Sequence, residues 1–159
     1  MALKSFEILG FPDNRFDTIP LLDIIKAVEI KKQEIKPEIV FTHHAHDLNI
    51  DHRKTFQAVL TACRPMQDET VREIYSFEVP SSTEWQVQTS VNVFLPTLYI
   101  TIAESHLKAK IDAMEIYTSE VRDSTHPRSE NALKLLAEWR GLSIGTRFAE
   151  CFEMVRRIL

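Results

Sequence analysis

Apolar positions in this 159-residue chain recur three and four apart in some stretches and run together or alternate in others, which predicts helices and strands in turn. Phe6-Glu7-Ile8-Leu9 reads as a short strand closed by the turn residues Gly10 to Asn14. Leu21, Ile24, Ile25 and Val28 have helical spacing, so a helix is expected from near Pro20, capped by Asp17 or Thr18 and stopped by Pro37. The β-branched run Glu38-Ile39-Val40-Phe41-Thr42 fits a buried strand. After a polar loop, a second helix beginning near Asp51 or Arg53 would place Phe56, Val59, Leu60 and Cys63 on one side, ending at Arg64-Pro65.

Further strands are expected over Val71–Val79, Val91–Phe94 and Thr97–Ile102, with Pro80 and Pro96 as punctuation. A helix over Ala103–Glu120 would align Leu107, Ile111, Met114 and Tyr117, and another over Ser129–Arg140 would turn Leu133, Leu136 and Ala137 inward. Phe148 to Val155 fits either a strand or a helix. Strands alternating with helices imply an α/β fold with right-handed crossovers and a mostly parallel sheet. With no repeat, low-complexity tract or linker, residues 1–159 read as a single domain.

Composition narrows the function classes. Nineteen Lys and Arg against 23 Asp and Glu give a net charge of −4, which argues against a nucleic-acid partner. No apolar run approaches the ~18 residues of a membrane helix, so no membrane insertion is expected. Met1 to Glu7 has no signal-peptide pattern, and two cysteines, Cys63 and Cys151, form no CxxC pair; a cytoplasmic setting with inert core thiols fits. The three glycines, Gly10, Gly141 and Gly145, are too dispersed for a phosphate loop or a dinucleotide fingerprint.

Four of the six histidines, His43, His44, His46 and His52, lie in one loop with Asp47, Asn49 and Asp51. That loop follows a strand, and open α/β sheets bind ligands at the carboxyl ends of their strands. Imidazole nitrogens suit zinc, and a neighbouring carboxylate can fix their tautomer. The same composition also fits a solvated polar loop.

The string Thr42-His43-His44-Ala45-His46-Asp47-Leu48-Asn49-Ile50-Asp51-His52-Arg53, after Pro37-Glu38-Ile39-Val40, resembles the second block of the PIG-L/LmbE family of zinc-dependent N-deacetylases. Leu9 to Arg15 resembles the turn after that family's third strand, and Lys108 to Tyr117 and Trp139 to Phe152 resemble its C-terminal segments. The resemblance implies a Rossmann-like three-layer sandwich and metal-assisted removal of the acetyl group from a small amino-sugar glycoconjugate of the N-acetylglucosamine type. It makes His52 a zinc ligand and places Asn49 where many members carry a histidine that stabilises the tetrahedral intermediate; an amide donates a hydrogen bond but is no acid. Asp47 and Asp51 become candidate partners of the metal-bound imidazole, with helix capping the alternative for Asp51.

The family's first block, His-Pro-Asp-Asp-Glu, supplies two more metal ligands and a general base, and has no counterpart here; His126-Pro127 continues as Arg128-Ser129-Glu130. The resemblance therefore implies a domain truncated at its N-terminus and inactive alone, because a catalytic zinc normally needs three protein ligands. It leaves open a non-catalytic homologue acting in binding or assembly, a homo-oligomer, or completion by another N-terminal chain. Asp13, Arg15 and Trp85 are candidate substrate contacts, although turn chemistry also explains Asp13 and a half-buried structural role also explains Trp85. Ser81-Ser82-Thr83 lacks a nucleophile elbow and reads as a loop. His126 reads as an exposed loop residue, Lys108 and Lys110 as solvated, and Glu150 as half of an ion pair.

Overall fold

The computed structural model describes residues 3–159 and has four strands and four α-helices. A 3-10 turn at Phe16–Thr18 leads into α1 (Leu21–Ile35), then β1 (Ile39–His43), α2 (Ile50–Ala62), β2 (Glu73–Phe77), β3 (Leu98–Thr101), α3 (Glu104–Ile116), α4 (Glu130–Leu142) and β4 (Ala149–Arg157). Pro20 itself occupies the cap position of α1, while the Thr18 hydroxyl donates to the Arg15 carbonyl instead of capping that helix. Asn49 caps α2 and Ser129 caps α4, each side chain accepting a backbone N–H of the first turn. The ambiguous C-terminal segment is a strand of nine residues.

Strand order is β1-β2-β4-β3. β1 and β2 pair in parallel, while β4 runs antiparallel to both of its neighbours, so the sheet is mixed rather than mostly parallel. The cause lies in the connection. A single helix between two strands returns the chain to its starting end, but two helices, α3 and α4, stand between β3 and β4 and bring β4 in reversed.

The three-layer arrangement also needs correction. α1 and α2 pack on the face bearing Val40, Ile74 and Val155, and α4 reaches that face through Arg140, which pairs with Glu78 at the end of β2. The opposite face carries Phe41, Tyr75 and Phe152 in mutual contact and has no helix packed on it among the described residues. Ile39 and Phe41 are consequently 48% and 46% exposed.

Two expected strands do not form. Phe6–Leu9 has no paired neighbour among the described residues, and Phe6 and Ile8 are 83% and 85% exposed; a strand needs a partner for its backbone groups as well as a suitable sequence. Val91–Phe94 lies within residues 78–97, which form turns and bends held by side-chain contacts. No helix among the described residues is long and apolar enough to cross a membrane.

Candidate active site

The loop from His44 to Asn49 joins the C-terminal end of β1 to the start of α2, and Asp47 lies at its centre with no exposed surface. Its carboxylate accepts hydrogen bonds from Thr83 Oγ1 at 2.6 Å, the Asn49 backbone N–H at 2.9 Å, His52 Nδ1 at 3.0 Å and the Ser82 hydroxyl. Burial pushes its pKa up, but these donors, His52 first, outweigh burial and hold the carboxyl well below the usual carboxylate range. The charged, buried carboxylate thus meets three donors at Oδ1 and one at Oδ2, the kind of compensation under which such a group is tolerated.

The consequence falls on His52. Ionised at neutral pH, Asp47 can only accept, so Nδ1 of His52 carries the hydrogen and Nε2 is the nitrogen left to present a lone pair. Position 52 lies on the first turn of α2, which fixes its distance from Asp47, five residues earlier. Arg53 Nη1 donates to the carbonyls of Asp47 and Leu48 at 2.6 Å each, tying the loop back to the same helix.

Asp51 plays another part than partner to the imidazole. It accepts the backbone N–H groups of Asn14 at 2.6 Å and Phe16 at 3.0 Å and so clamps the 13–16 turn beside the site. Asn49 spends its carbonyl oxygen on the Asp51 N–H as the helix cap, and its amide donates to Asn14 Oδ1 at 3.3 Å. Asp13 and Arg15 are exposed on the clamped turn on either side of Asn14, which adopts a left-handed φ of 53°. Trp85, 52% exposed, stands edge-on to the ring of His126 at 5.3 Å, so its environment is the 125–128 loop. His126 is accordingly part-buried, not free in solvent.

The remaining histidines divide sharply. His43 stacks on His52 at 4.1 Å between ring centres and lies against Phe77, with its Nδ1 buried and unpartnered. Burial above all, helped by His52, pushes its pKa down to about 4. His44 is 2% exposed, and its Nδ1 meets Glu153 at 2.9 Å while Nε2 meets the Asn92 carbonyl at 3.1 Å, pinning the 89–94 turn to the sheet. Glu153 lies 109 residues away in sequence, so no local pattern could have marked that pair. His46 is exposed and makes an edge contact with His44.

Lys110 pairs with Glu150 at 2.7 Å and Lys108 with Asp112. Burial and the nearby Glu78 push the Cys151 thiol up to about 12, which makes it inert, and burial raises Cys63 as well.

His43 supplies an acid-sensitivity prediction. Its native pKa lies near 4 and its unfolded pKa near 6.5, so below pH 6.5 the unfolded chain takes up a proton that the native protein refuses. Native stability should fall by about 2 kcal/mol from this source between pH 7.5 and 5. His43→Phe keeps the ring against Phe77 and removes both the titration and the unpartnered nitrogen. Urea unfolding at the two pH values should show a shallower loss in this variant; an unchanged loss would assign the acid sensitivity elsewhere.

The block that builds this geometry has counterparts in known proteins. Residues 1–63 match the PIG-L family model, described as GlcNAc-PI de-N-acetylase. The chain is 30% identical over 116 residues, 70% of its length, to a protein described as uncharacterized deacetylase YaiS of Escherichia coli K12. These matches support membership of the PIG-L family. The block from Thr42 to Arg53, which builds the Asp47–His52 arrangement, lies inside the matched region.

Two solved structures share the fold. N,N'-diacetylchitobiose deacetylase from Pyrococcus horikoshii, solved with its inhibitor, superposes with a TM-score of 0.68 at 16% identity over 93% of this chain and 56% of that one. The conserved protein TT1542 from Thermus thermophilus gives 0.66 at 18% identity over 95% of this chain and 66% of that one. The chain spans 55% of the length of the Escherichia coli relative it matches.

Zinc, expected from the resemblance, finds an incomplete donor set. Among the described residues, no group of three or more His, Cys, Asp or Glu could hold a metal ion. His52 offers one nitrogen, and a catalytic zinc takes three protein ligands and a water, so the residues present do not fit that ion.

Proposed function

We propose that this protein serves the removal of the acetyl group from N-acetylglucosamine-type glycoconjugates in the cytoplasm, and that the residues described here bind and orient the substrate without completing hydrolysis by themselves. The observation that carries this reading is the fully buried Asp47 fixing His52, whose Nε2 has no partner among the described residues, at the carboxyl end of β1. The family match and the chitobiose deacetylase fold support it.

The chemistry follows from the pair. Cleaving an amide requires a proton on the departing nitrogen. His52 Nε2 can take up a proton and return it, while Asp47 stabilises the imidazolium across the 3.0 Å bond to Nδ1. The Asn49 amide nitrogen, engaged among the described residues by Asn14 alone, retains a second N–H for a carbonyl oxygen. Asp13 and Arg15, on the turn clamped by Asp51, supply an acceptor and donors suited to sugar hydroxyls.

A second reading, a binding protein without catalysis, is favoured by the incomplete metal donor set. Both are tested by titrating the protein with methyl 2-acetamido-2-deoxy-β-D-glucopyranoside, following the His52 ring by NMR and released acetate enzymatically, with and without added zinc. Binding that shifts His52 without acetate release is expected, with no added release on zinc addition. Acetate release abolished by His52→Ala would contradict the incomplete-site reading, and no shift at His52 would overturn the amino-sugar reading itself.

A further inference from the structure

A cavity of about 420 Å³ lies beside this site and shares a wall with it. The wall is the turn 80–84. Ser82 and Thr83 turn their hydroxyls to Asp47, while Pro80 and Glu84 of the same turn line the cavity. The opposite walls are α4, through Leu135, Leu136 and Trp139, and the 125–127 turn, through His126 and Pro127. Arg128 Nε donates to the Pro80 carbonyl at 3.3 Å and Arg140 grips Glu78 with two hydrogen bonds, so both walls are tied to the β2 side.

The lining is apolar with few polar groups, and those groups are selective. His126 Nδ1 accepts the Arg128 backbone N–H at 3.0 Å, so the neutral ring carries its hydrogen on Nε2, which has no protein partner among the described residues. Glu78 is already neutralised by Arg140, whereas the Glu84 carboxylate meets only the backbone N–H groups of Ser81 and Ser82 and no cation among the described residues. The His126 Nε2–H, the Glu84 carboxylate and the Thr125 hydroxyl, which already donates to Asp123 at 3.3 Å, are too few polar groups around this mostly apolar, ring-sized space to satisfy the many hydroxyls of a second sugar, which would be stripped of water without replacement. They do suit a flat apolar ring with a single polar substituent, for which Trp139 offers an exposed aromatic face and the volume lies in the range of small-molecule pockets.

We infer that this cavity binds a planar, apolar ring of aryl type; its assignment as the pocket for the group glycosidically linked to the amino sugar rests on the function proposed above. Both tryptophans of the chain report on it, since Trp139 lines the cavity and Trp85 packs on His126.

The test compares phenyl and methyl 2-acetamido-2-deoxy-β-D-glucopyranosides with the intact chain, following tryptophan fluorescence and the methyl resonances of Leu135 and Leu136. The phenyl glycoside should bind about tenfold more tightly through burial of its ring. It alone should move the two leucines, and Trp139→Ala should abolish its advantage while leaving the methyl glycoside unaffected. Equal affinities, or leucine resonances that stay fixed in the wild-type protein, would overturn the inference whether or not the variant folds. Free phenol that shifts Leu135 and Leu136 while neither glycoside touches His52 would uphold the cavity and refute the deacetylase reading. Shifts at His52 from both glycosides with none at the leucines would do the reverse.

Discussion

Asp47→Ala should cost about 3–5 kcal/mol of folding stability, a large share of the total expected for one domain. The side chain has no exposed surface, and its removal strands the Ser82 and Thr83 hydroxyls, the Asn49 N–H and His52 Nδ1 around a cavity at once. It also uncouples the 80–84 turn from the loop after β1, leaving the Leu48 N–H to Ser82 carbonyl bond, at 3.4 Å, as the remaining backbone link there. The isosteric Asp47→Asn should cost less, about 2 kcal/mol, because it retains volume and one acceptor. Urea unfolding monitored by circular dichroism checks the order. Equal and small losses, under about 0.5 kcal/mol, would mean that the hydrogen-bonded cluster does not hold the loop. Because the native carboxyl sits well below its unfolded pKa, its contribution is present above about pH 4 and lost as the pH falls further.

Gly141→Ala should be nearly as damaging, by about 3 kcal/mol, although alanine is the better helix former. A Cβ at this position would come within 2.7 Å of the Arg147 carbonyl carbon and oxygen and of the Phe148 nitrogen, all of them backbone atoms. The ~1 kcal/mol gained in helix propensity cannot offset a forced separation of α4 from the chain entering β4. Phe148, 2% exposed, packs with Leu107 and Ala137 at this crossing, so the displacement would loosen that cluster. Two residues back, Trp139 would move with the helix, so a change in tryptophan emission should accompany the fall in the urea midpoint. An unaltered midpoint would show that α4 can tilt away without loss.

What the sequence disclosed follows from the range over which each interaction acts. The helical spacing of Leu21, Ile24, Ile25 and Val28 and the run Ile39-Val40-Phe41 are local, and α1 and β1 form where those patterns stand. Phe6–Leu9 has an equally suitable pattern and forms no strand, because pairing depends on a neighbour that propensity does not describe. The direction of β4 was likewise hidden in a count of intervening helices, not in its own residues. At the site, Asp47 and His52 are five residues apart and could be named together, whereas Ser82, Thr83 and Glu153 come to the histidine loop only through the sheet. Within Ser81 to Thr83, which has no nucleophile elbow and reads as a loop, the Ser82 and Thr83 hydroxyls clamp the Asp47 carboxylate. Asp51, a candidate partner of the imidazole, instead holds the turn that presents Asp13 and Arg15.

The most direct measurement is the protonation of the two His52 ring nitrogens, read from long-range ¹H–¹⁵N correlations in the wild-type protein near pH 7.5. Asp47 as a buried, ionised acceptor predicts a hydrogen on Nδ1 and an unprotonated Nε2. The opposite tautomer, with the hydrogen on Nε2, would mean that Asp47 does not orient His52, and the proposed site would lose the lone pair on which its chemistry depends.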